Sequence, residues 1–200
     1  RRQRQMCIRD SYWTKKAALK NERFKTRLAK EKVNHLQFDD LITKEKTKLK
    51  PLSVTVAVDG ERRFILEANG SQIAAFGHLS KLSVKKYGRR KSFHKDALNQ
   101  TFTNLKKIVS PDALIESDEH KNYPPVVKKY FPKAEYIQYK SEKSCVAGQG
   151  ELKQVIHDPI FAIDHTLAML RDGISTLVRR TWCTTQDPKR LKGHLDMFIY

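Results

Sequence analysis

The segment from Pro51 to Ala68 constrains the fold of this chain more than any other. Residues from Pro51 to Asp59 alternate β-branched and small side chains, which is typical of a strand. The turn dipeptide Asp59-Gly60 follows, and a second apolar segment runs from Arg63 to Ala68. A turn dipeptide between two such segments predicts an antiparallel β-hairpin. Any fold for this chain must therefore contain a sheet that includes this hairpin.

The other periodic segments fit a sheet that is covered by helices. We predict strands over 33–41, 113–117 and 135–140, helices over 12–32, 94–108, 123–131 and 159–181, and loops over 77–91 and 141–157. Three strands come first in this order, and helices then alternate with strands. We therefore predict an α/β protein with a mixed five-stranded sheet flanked by helices, which is the layout of the ribonuclease H-like fold.

The charge of the chain limits its partners. Its 200 residues carry a formal net charge of +18, and the isoelectric point is about 9.9. Compact domains rarely hold so much positive charge without a polyanionic partner, and nucleic acid is the commonest one. Charge alone leaves an enzyme that acts on nucleic acid and a nucleic-acid-binding module equally open.

The apolar residues and the cysteines indicate a cellular location. No apolar run approaches the roughly 20 residues that are needed to cross a bilayer, and the N-terminus lacks the apolar region of a signal peptide. The three cysteines, Cys7, Cys145 and Cys183, are far apart and form no CxxC pair, which argues against a zinc site or a disulfide framework. We expect no membrane partner and a reducing, cytoplasmic location.

Three aspartates occupy positions that suit a metal site. Asp39 follows an apolar stretch in the first predicted strand, Asp118 follows the strand over 113–117, and Asp164 lies in the last helix. Acids at two strand ends and on a helix can converge on one or two Mg²⁺ ions, which prefer carboxylate ligands and promote phosphodiester cleavage. Four neighbouring acids stay open as alternative ligands: Asp40 for the first position, Glu119 for the second, and Glu151 or Asp158 for the third.

From about Val33 to its end, the chain resembles the DDE-type transposases of bacterial insertion sequences. The motifs that carry the resemblance are LQFDD, KLKPLSVTVAVD, GHLSKLSVKKYGRR, SDEHKNYPPVVKKYFP, VAGQGELK and DHTLAMLRDGISTLVRRTWCTT. The resemblance implies that Asp39, Asp118 and Asp164 are the catalytic, metal-binding acids of a ribonuclease H-like domain. The third acid of this family is usually Glu, so Asp164 is a departure. A misplacement of about 1 Å, the difference of one methylene, can cost about 10²-fold in rate.

The resemblance also implies a reaction and its partners. Such enzymes use Mg²⁺ or Mn²⁺, with two ions in the site, to cut double-stranded DNA at the ends of an insertion sequence and to join the freed 3′-hydroxyl to target DNA. We therefore expect transposon ends and target DNA as substrates, a homo-oligomer, and a bacterial protein that associates with the nucleoid when bound to DNA. Two alternatives stay open: a ribonuclease H-like nuclease that cuts without joining, and a catalytically inactive DNA-binding remnant.

Several cations and rings are candidates for DNA contacts. Arg171 follows Asp164 by seven residues and so lies on nearly the same helix face, a spacing at which the family often has a cation. His165 and His120 stand beside two of the acids, although a lone histidine is more often structural. Trp182 is a candidate for base stacking, with core packing as the alternative. Lys and Arg bind phosphates without reading sequence, and the basic candidates are Lys85, Lys86, Arg89, Arg90, Lys91, Arg179 and Arg180.

We divide the chain into three parts. Residues 1–11 lack apolar periodicity, and Met6 to Asp10 match a translated sequencing adapter, so we interpret them as a non-native leader. Residues 12–32 form a basic helix or linker, and residues 33–200 form the catalytic domain. We interpret the chain as a fragment at both ends that lacks the upstream DNA-reading module usual in this family.

Overall fold

The computed structural model describes residues 2–140, 158–178 and 183–199, with side chains described from residue 11 onward. In chain order, its elements are α1 (Arg2–Glu31), β1 (Val33–Glu45), β2 (Thr47–Asp59), β3 (Ile65–Gln72), α2 (Leu79–Tyr87), α3 (His94–Leu105), β4 (Val109–Asp118), α4 (Tyr123–Tyr130), β5 (Glu135–Tyr139), α5 (Phe161–Gly173) and α6 (Pro188–Ile199). The strands form one mixed sheet in the order β3-β2-β1-β4-β5. The predicted α/β fold class is confirmed, and the arrangement is consistent with the ribonuclease H-like fold.

The sheet combines an antiparallel half and a parallel half. β1, β2 and β3 pair in antiparallel fashion, and Lys46, with a φ of 58°, makes the tight turn between β1 and β2. The first two strands are longer than predicted because the lysine-rich turn region carries no apolar alternation. β4 pairs in parallel with β1, and β5 pairs in parallel with β4. β1 is therefore the central strand, and the end of β4 lies beside its middle.

Both faces of the sheet are covered, so β1 is buried on two sides. Phe38 of β1 packs against Phe102 of α3 on the face that α1, α3 and α4 cover. On the other face, Val56 of β2 lies in one core with Ile163 and Leu167 of α5, and α6 completes that layer. Burial of each such side chain contributes roughly 1.5–3 kcal/mol, which holds the central strand in place. Successive residues of β1 consequently face opposite layers.

The predicted hairpin turn at Asp59-Gly60 is confirmed, but the glycine serves a different purpose from the expected one. Gly60 does not have a positive φ, whereas Arg63 does, at 59°. Asp59 Oδ1 instead accepts hydrogen bonds from the backbone amides of Glu61 and Arg62, at 3.0 and 3.1 Å. A Cβ at Gly60 would lie 2.5 Å from the ring of His35. Gly60 is thus required for close approach rather than for an unusual backbone angle.

The predicted loop over 77–91 is wrong for residues Leu79–Tyr87, which form α2. The buried residue of this helix is Ser83, whose hydroxyl donates a hydrogen bond of 2.7 Å to the carbonyl oxygen of Leu49. Leu82 is instead 52% exposed. A helix that is anchored through one polar side chain has no apolar stripe, so its sequence carries little helical periodicity.

The predicted helix over 159–181 is too long, because α5 ends at Gly173 and Ile174 is extended. Glycine at the end of a periodic segment is a stop signal that the prediction passed over. A Cβ at Gly173 would lie 2.4 Å from the ring of Phe198, so the glycine also lets α6 approach. α6 was not predicted. It packs against α1 and β3.

The first helix joins two of the predicted parts. α1 is continuous from Arg2 to Glu31, so residues 2–11 of the predicted leader and the predicted basic helix are one element. Lys32, with a φ of 58°, ends the helix and directs the chain into β1. Within the described residues, none of the helices combines the length and the apolar composition that crossing a membrane requires.

Candidate active site

The first two predicted acids lie side by side. Asp39 is in the middle of β1, and Asp118 is the last residue of β4. Because these strands are parallel with Phe38 opposite Ser117, the residues that follow leave the sheet on the same face. Both carboxylates are partly buried, and each affects the pKa of the other. The fold thus brings together two acids that are far apart in sequence.

The electrostatics of this pair resemble those of two acids that share a proton. Burial raises the pKa of Asp39 well above its ordinary value, and the negative charges of Asp118, Asp40 and Asp164 raise it further. Burial also raises the pKa of Asp118, while its hydrogen bond with Asp39 opposes that effect. Like charges at close range destabilise each other. The pair is therefore a site where a proton or a cation is favoured.

The third predicted acid is placed by a glutamine of the central strand. Gln37 accepts a hydrogen bond of 3.2 Å from the backbone amide of Ile163 and donates one of 3.0 Å to the carbonyl oxygen of Pro159. These bonds fix the first turn of α5, where Asp164 follows Ile163. The charge of Asp164 raises the pKa of both other acids. All three predicted acids consequently belong to one electrostatic cluster.

Glu116 lies two residues before Asp118 on the same face of the sheet, but its carboxylate oxygens already have hydrogen-bond partners. His35 Nε2 is 2.6 Å from Glu116 Oε2, and Gln37 and the Tyr139 hydroxyl each donate a hydrogen bond of 2.8 Å to the carboxylate. Burial alone would raise the pKa of Glu116, but these hydrogen bonds outweigh it and the pKa is lowered. Glu116 therefore supports the start of α5 structurally.

The alternative first acid, Asp40, faces the opposite layer. Its carboxylate is hydrogen-bonded to His94 Nε2 and accepts a bond of 2.5 Å from the Thr55 hydroxyl. Burial alone would raise the pKa of Asp40, but hydrogen bonds from His94, Thr55 and Tyr123 hold it below the ordinary value. These contacts favour Asp39 over Asp40 as the acid of the site. The alternative second acid, Glu119, is exposed.

Tyr123 and His94 are site residues that the sequence analysis did not identify. The Tyr123 hydroxyl donates a hydrogen bond of 3.3 Å to Asp39 Oδ1. Burial and the charges of Asp40, Asp39 and Asp118 raise the pKa of Tyr123 far above its ordinary range, so it stays a donor. The centre of the His120 ring lies 4.7 Å from that of Tyr123, with the rings tilted, and 5.5 Å from that of His94, with the rings edge to face. His94 and Tyr123 are each the first residue of a helix beside the acid cluster. This position at a helix start was the signal available in the sequence.

Arg171 lies on the same side of α5 as the acids, as its spacing from Asp164 predicts. Its side chain is partly buried. Burial lowers the pKa of Arg171, while the charges of Asp39 and Asp164 act in the opposite direction. The guanidinium therefore offsets part of the negative charge of the cluster. A contact between Arg171 and a DNA phosphate stays a prediction.

The other predicted residues near α5 lie at its surface. His165 is exposed and stacks on Phe161, with ring centroids 5.4 Å apart. Asp158, an alternative third acid, accepts a hydrogen bond of 3.3 Å from the backbone amide of Ile160 before the helix begins. The alternative Glu151, the cations Arg179 and Arg180, and Trp182 lie outside the described residues.

The predicted basic segment is mostly accessible to a polyanion. Lys85 and Lys86 lie in the last turn of α2. Both are exposed, as are Arg89 and Lys91. Arg90 differs, because its guanidinium donates a hydrogen bond of 2.6 Å to Glu45 at a site where both side chains are largely buried. Arg90 thus ties this segment to the end of β1.

The carboxylates of the acid cluster are suitable ligands for a divalent cation, although they do not form a complete coordination shell. Asp118 Oδ1 is buried and has no hydrogen-bond partner among the described residues. A buried carboxylate oxygen without a donor is costly unless a proton or a cation compensates it. No group of three or more His, Cys, Asp or Glu side chains in the described part of the chain is close enough to hold a metal ion.

No protein-family model matches this chain, and no curated protein matches it. The membership of the transposase family that the motifs indicate therefore stays a prediction.

Proposed function

We propose that this protein is a metal-dependent DNA transposase of the DDE type, an endonuclease and strand transferase that acts at the ends of an insertion sequence. The observation that carries the proposal is the placement of Asp39 and Asp118 on adjacent parallel strands, with Asp164 acting on both from α5. The net charge of +18 supports a DNA substrate.

In this proposal, Asp39, Asp118 and Asp164 would hold Mg²⁺ or Mn²⁺, and the bound metal would activate the attacking oxygen and stabilise the leaving one. Three side chains of the protein prepare this site. The Tyr123 hydroxyl orients the Asp39 carboxylate. Gln37 fixes the turn of α5 that carries Asp164. Arg171 brings a positive charge to the same cluster, where a scissile phosphate would also be bound.

The proposal extends to partners and location. The substrates would be double-stranded transposon ends and target DNA, contacted by Arg171, His165 and the exposed cations of the basic segment. The protein would act as a homo-oligomer, since joining requires two ends to be held together. Its compartment would be the bacterial cytoplasm, in association with the nucleoid.

One observation favours a second candidate, a DNA-binding remnant without activity. The described acids do not form a ready metal group, and Asp164 is shorter than the Glu that the family usually has. In a remnant, the acid cluster would be an inherited structural feature, and DNA binding would rest on the cations alone.

A strand-joining assay separates the proposed functions. A labelled duplex with a free 3′-hydroxyl is incubated with supercoiled plasmid, Mn²⁺ and either the wild-type chain or Asp39→Asn. Transfer of label into the plasmid by the wild type alone supports the transposase. Nicking without transfer indicates a nuclease. Equal plasmid binding by both proteins, with neither nicking nor transfer, indicates the remnant and contradicts the proposal.

A further inference from the structure

A second basic surface lies where α1, the β2–β3 turn and the end of α6 meet. This surface is a cleft of about 810 Å³, and Phe198 and Ile199 of α6 line one side of it. Four cations, Lys20, Arg23, Arg27 and Arg63, also line it, and none of its lining residues in the described part of the chain is acidic. We call it the α1 cleft. Its lining predicts a polyanionic ligand.

Four acids of the elements around the α1 cleft have other partners. Glu67 and Glu22 pair with Lys25, at 2.7 and 3.4 Å. Glu31 and Asp59 pair with Arg62. Among the described residues, the ion pairs do not include Arg23, Arg27 or Arg63. Their charge therefore stays available to an incoming phosphate.

The cleft also presents aromatic rings beside its cations. Phe24 and Phe64 meet edge to face at 5.3 Å, and Phe64 is still 41% exposed. The Arg27 guanidinium lies 5.9 Å from the centre of the Phe24 ring. Arg63 lies 5.0 Å from the centre of the Phe161 ring, which is 46% exposed. Two exposed rings, Phe64 and Phe161, thus lie beside cations of this surface.

This combination of cations and exposed rings matches unpaired nucleotides better than a duplex. The bases of a duplex are stacked within it, whereas unpaired bases can stack on aromatic side chains while cations follow the phosphates. We infer that the α1 cleft binds single-stranded DNA through phosphate contacts to Arg23, Arg27 and Arg63 and base stacking on Phe64. The inference goes beyond the proposed function, because this binding requires neither the acids nor catalysis.

The test measures binding of a fluorescent single-stranded oligonucleotide of mixed sequence, and of its duplex, in buffer with EDTA. The wild type is expected to bind the single strand more tightly than the duplex. Phe64→Ala should weaken single-strand binding by about tenfold, since stacking on one ring contributes on that order. Arg27→Glu should weaken it further and reduce its salt dependence.

Two variants separate binding from folding and from general charge. Arg63→Gly removes a cation at a position with a positive φ that glycine adopts without cost, so it should lose affinity while keeping its melting temperature. Lys133→Glu, exposed before β5 at the opposite edge of the sheet, should bind as the wild type does. Because EDTA removes divalent metal, binding in this assay is measured separately from the proposed activity. Unchanged single-strand affinity in Phe64→Ala, or an equal loss of duplex affinity in that variant, would overturn the inference.

Discussion

Gln37 on the central strand accepts a hydrogen bond of 3.2 Å from the backbone amide of Ile163, the residue before Asp164. The amide group of the same side chain donates to Glu116 and to the carbonyl oxygen of Pro159. One buried glutamine thus joins β1, β4 and the start of α5. The position of Asp164 relative to Asp39 depends on this junction. Gln37 lies in the motif LQFDD, but no role was predicted for it.

We predict that Gln37→Met destabilises the protein by about 1–3 kcal/mol, because it leaves buried backbone groups without partners. The measurement is the free energy of unfolding in urea. The matched control is Gln186→Met, since Gln186 is exposed and its loss should change stability by less than about 0.5 kcal/mol. Equal stability of the two variants would show that the junction does not hold α5.

The raised pKa of Asp39 predicts a pH-dependent effect of Asp39→Asn in metal-free buffer. A carboxyl group whose pKa is higher in the folded state stabilises the fold fully below its unfolded value, here near 3.8. That contribution is lost as the pH rises through the folded pKa. The asparagine variant has no such loss, so its melting temperature should exceed that of the wild type at pH 7.5 and exceed it by less at pH 4.

Melting curves at the two pH values check this prediction. Asp172→Asn makes the same change at an exposed position of α5 and is the matched control. A larger gain for Asp39→Asn at pH 4 than at pH 7.5 would contradict the assignment of mutual repulsion in the acid cluster.

Arg171 and Asp164 are predicted to be energetically coupled. Arg171→Gln removes a positive charge that acts on Asp39 and Asp164, so it should cost more stability in the wild type than in an Asp164→Asn background. A double-mutant cycle on urea unfolding is expected to give about 1 kcal/mol of coupling, within the range for interacting neighbours. Strict additivity of the two substitutions would mean that the Arg171 guanidinium does not offset the charge of Asp164.

Gly60→Ala should destabilise the protein by about 1–3 kcal/mol through overpacking, because the new methyl group would displace the ring of His35. That ring contacts Glu116, so the disturbance reaches the junction at Gln37. The measurement is again urea unfolding. Arg63→Gly is the matched comparison in the same turn, and it should be at least as stable as the wild type. A neutral Gly60→Ala would show that the turn relaxes freely.

The sheet could be predicted from sequence because its signals are local. The β2–β3 hairpin follows from alternation and the Asp59-Gly60 dipeptide, and the fold class follows from the order of elements. α2 was missed because its anchor to Leu49 is one polar bond, which leaves no periodic pattern. The end of α5 was misplaced because its apolar spacing continues beyond Gly173, while the extended Ile174 depends on tertiary packing.

The acid cluster was accessible to sequence reasoning only in part. Asp39 and Asp118 each follow an apolar strand segment, and the parallel pairing of β1 with β4 brings them together although Asp39 lies in the middle of its strand. The choice between Asp39 and Asp40 needed the structure, because it depends on which layer each residue faces. The bond between Tyr123 and Asp39 was not predicted, because it joins residues that are distant in sequence.

The most direct test of the acid site is nicking of supercoiled plasmid by the 200-residue chain with Mg²⁺ or Mn²⁺. The panel compares wild type, Asp39→Asn, Asp118→Asn and Asp164→Asn with two exposed controls, Asp112→Asn on β4 and Asp172→Asn on α5. We predict that each of the three acid variants loses at least about 10²-fold in rate, since a small misplacement already costs that much, and that both controls retain activity. Metal-dependent nicking that persists in all three acid variants would contradict the account.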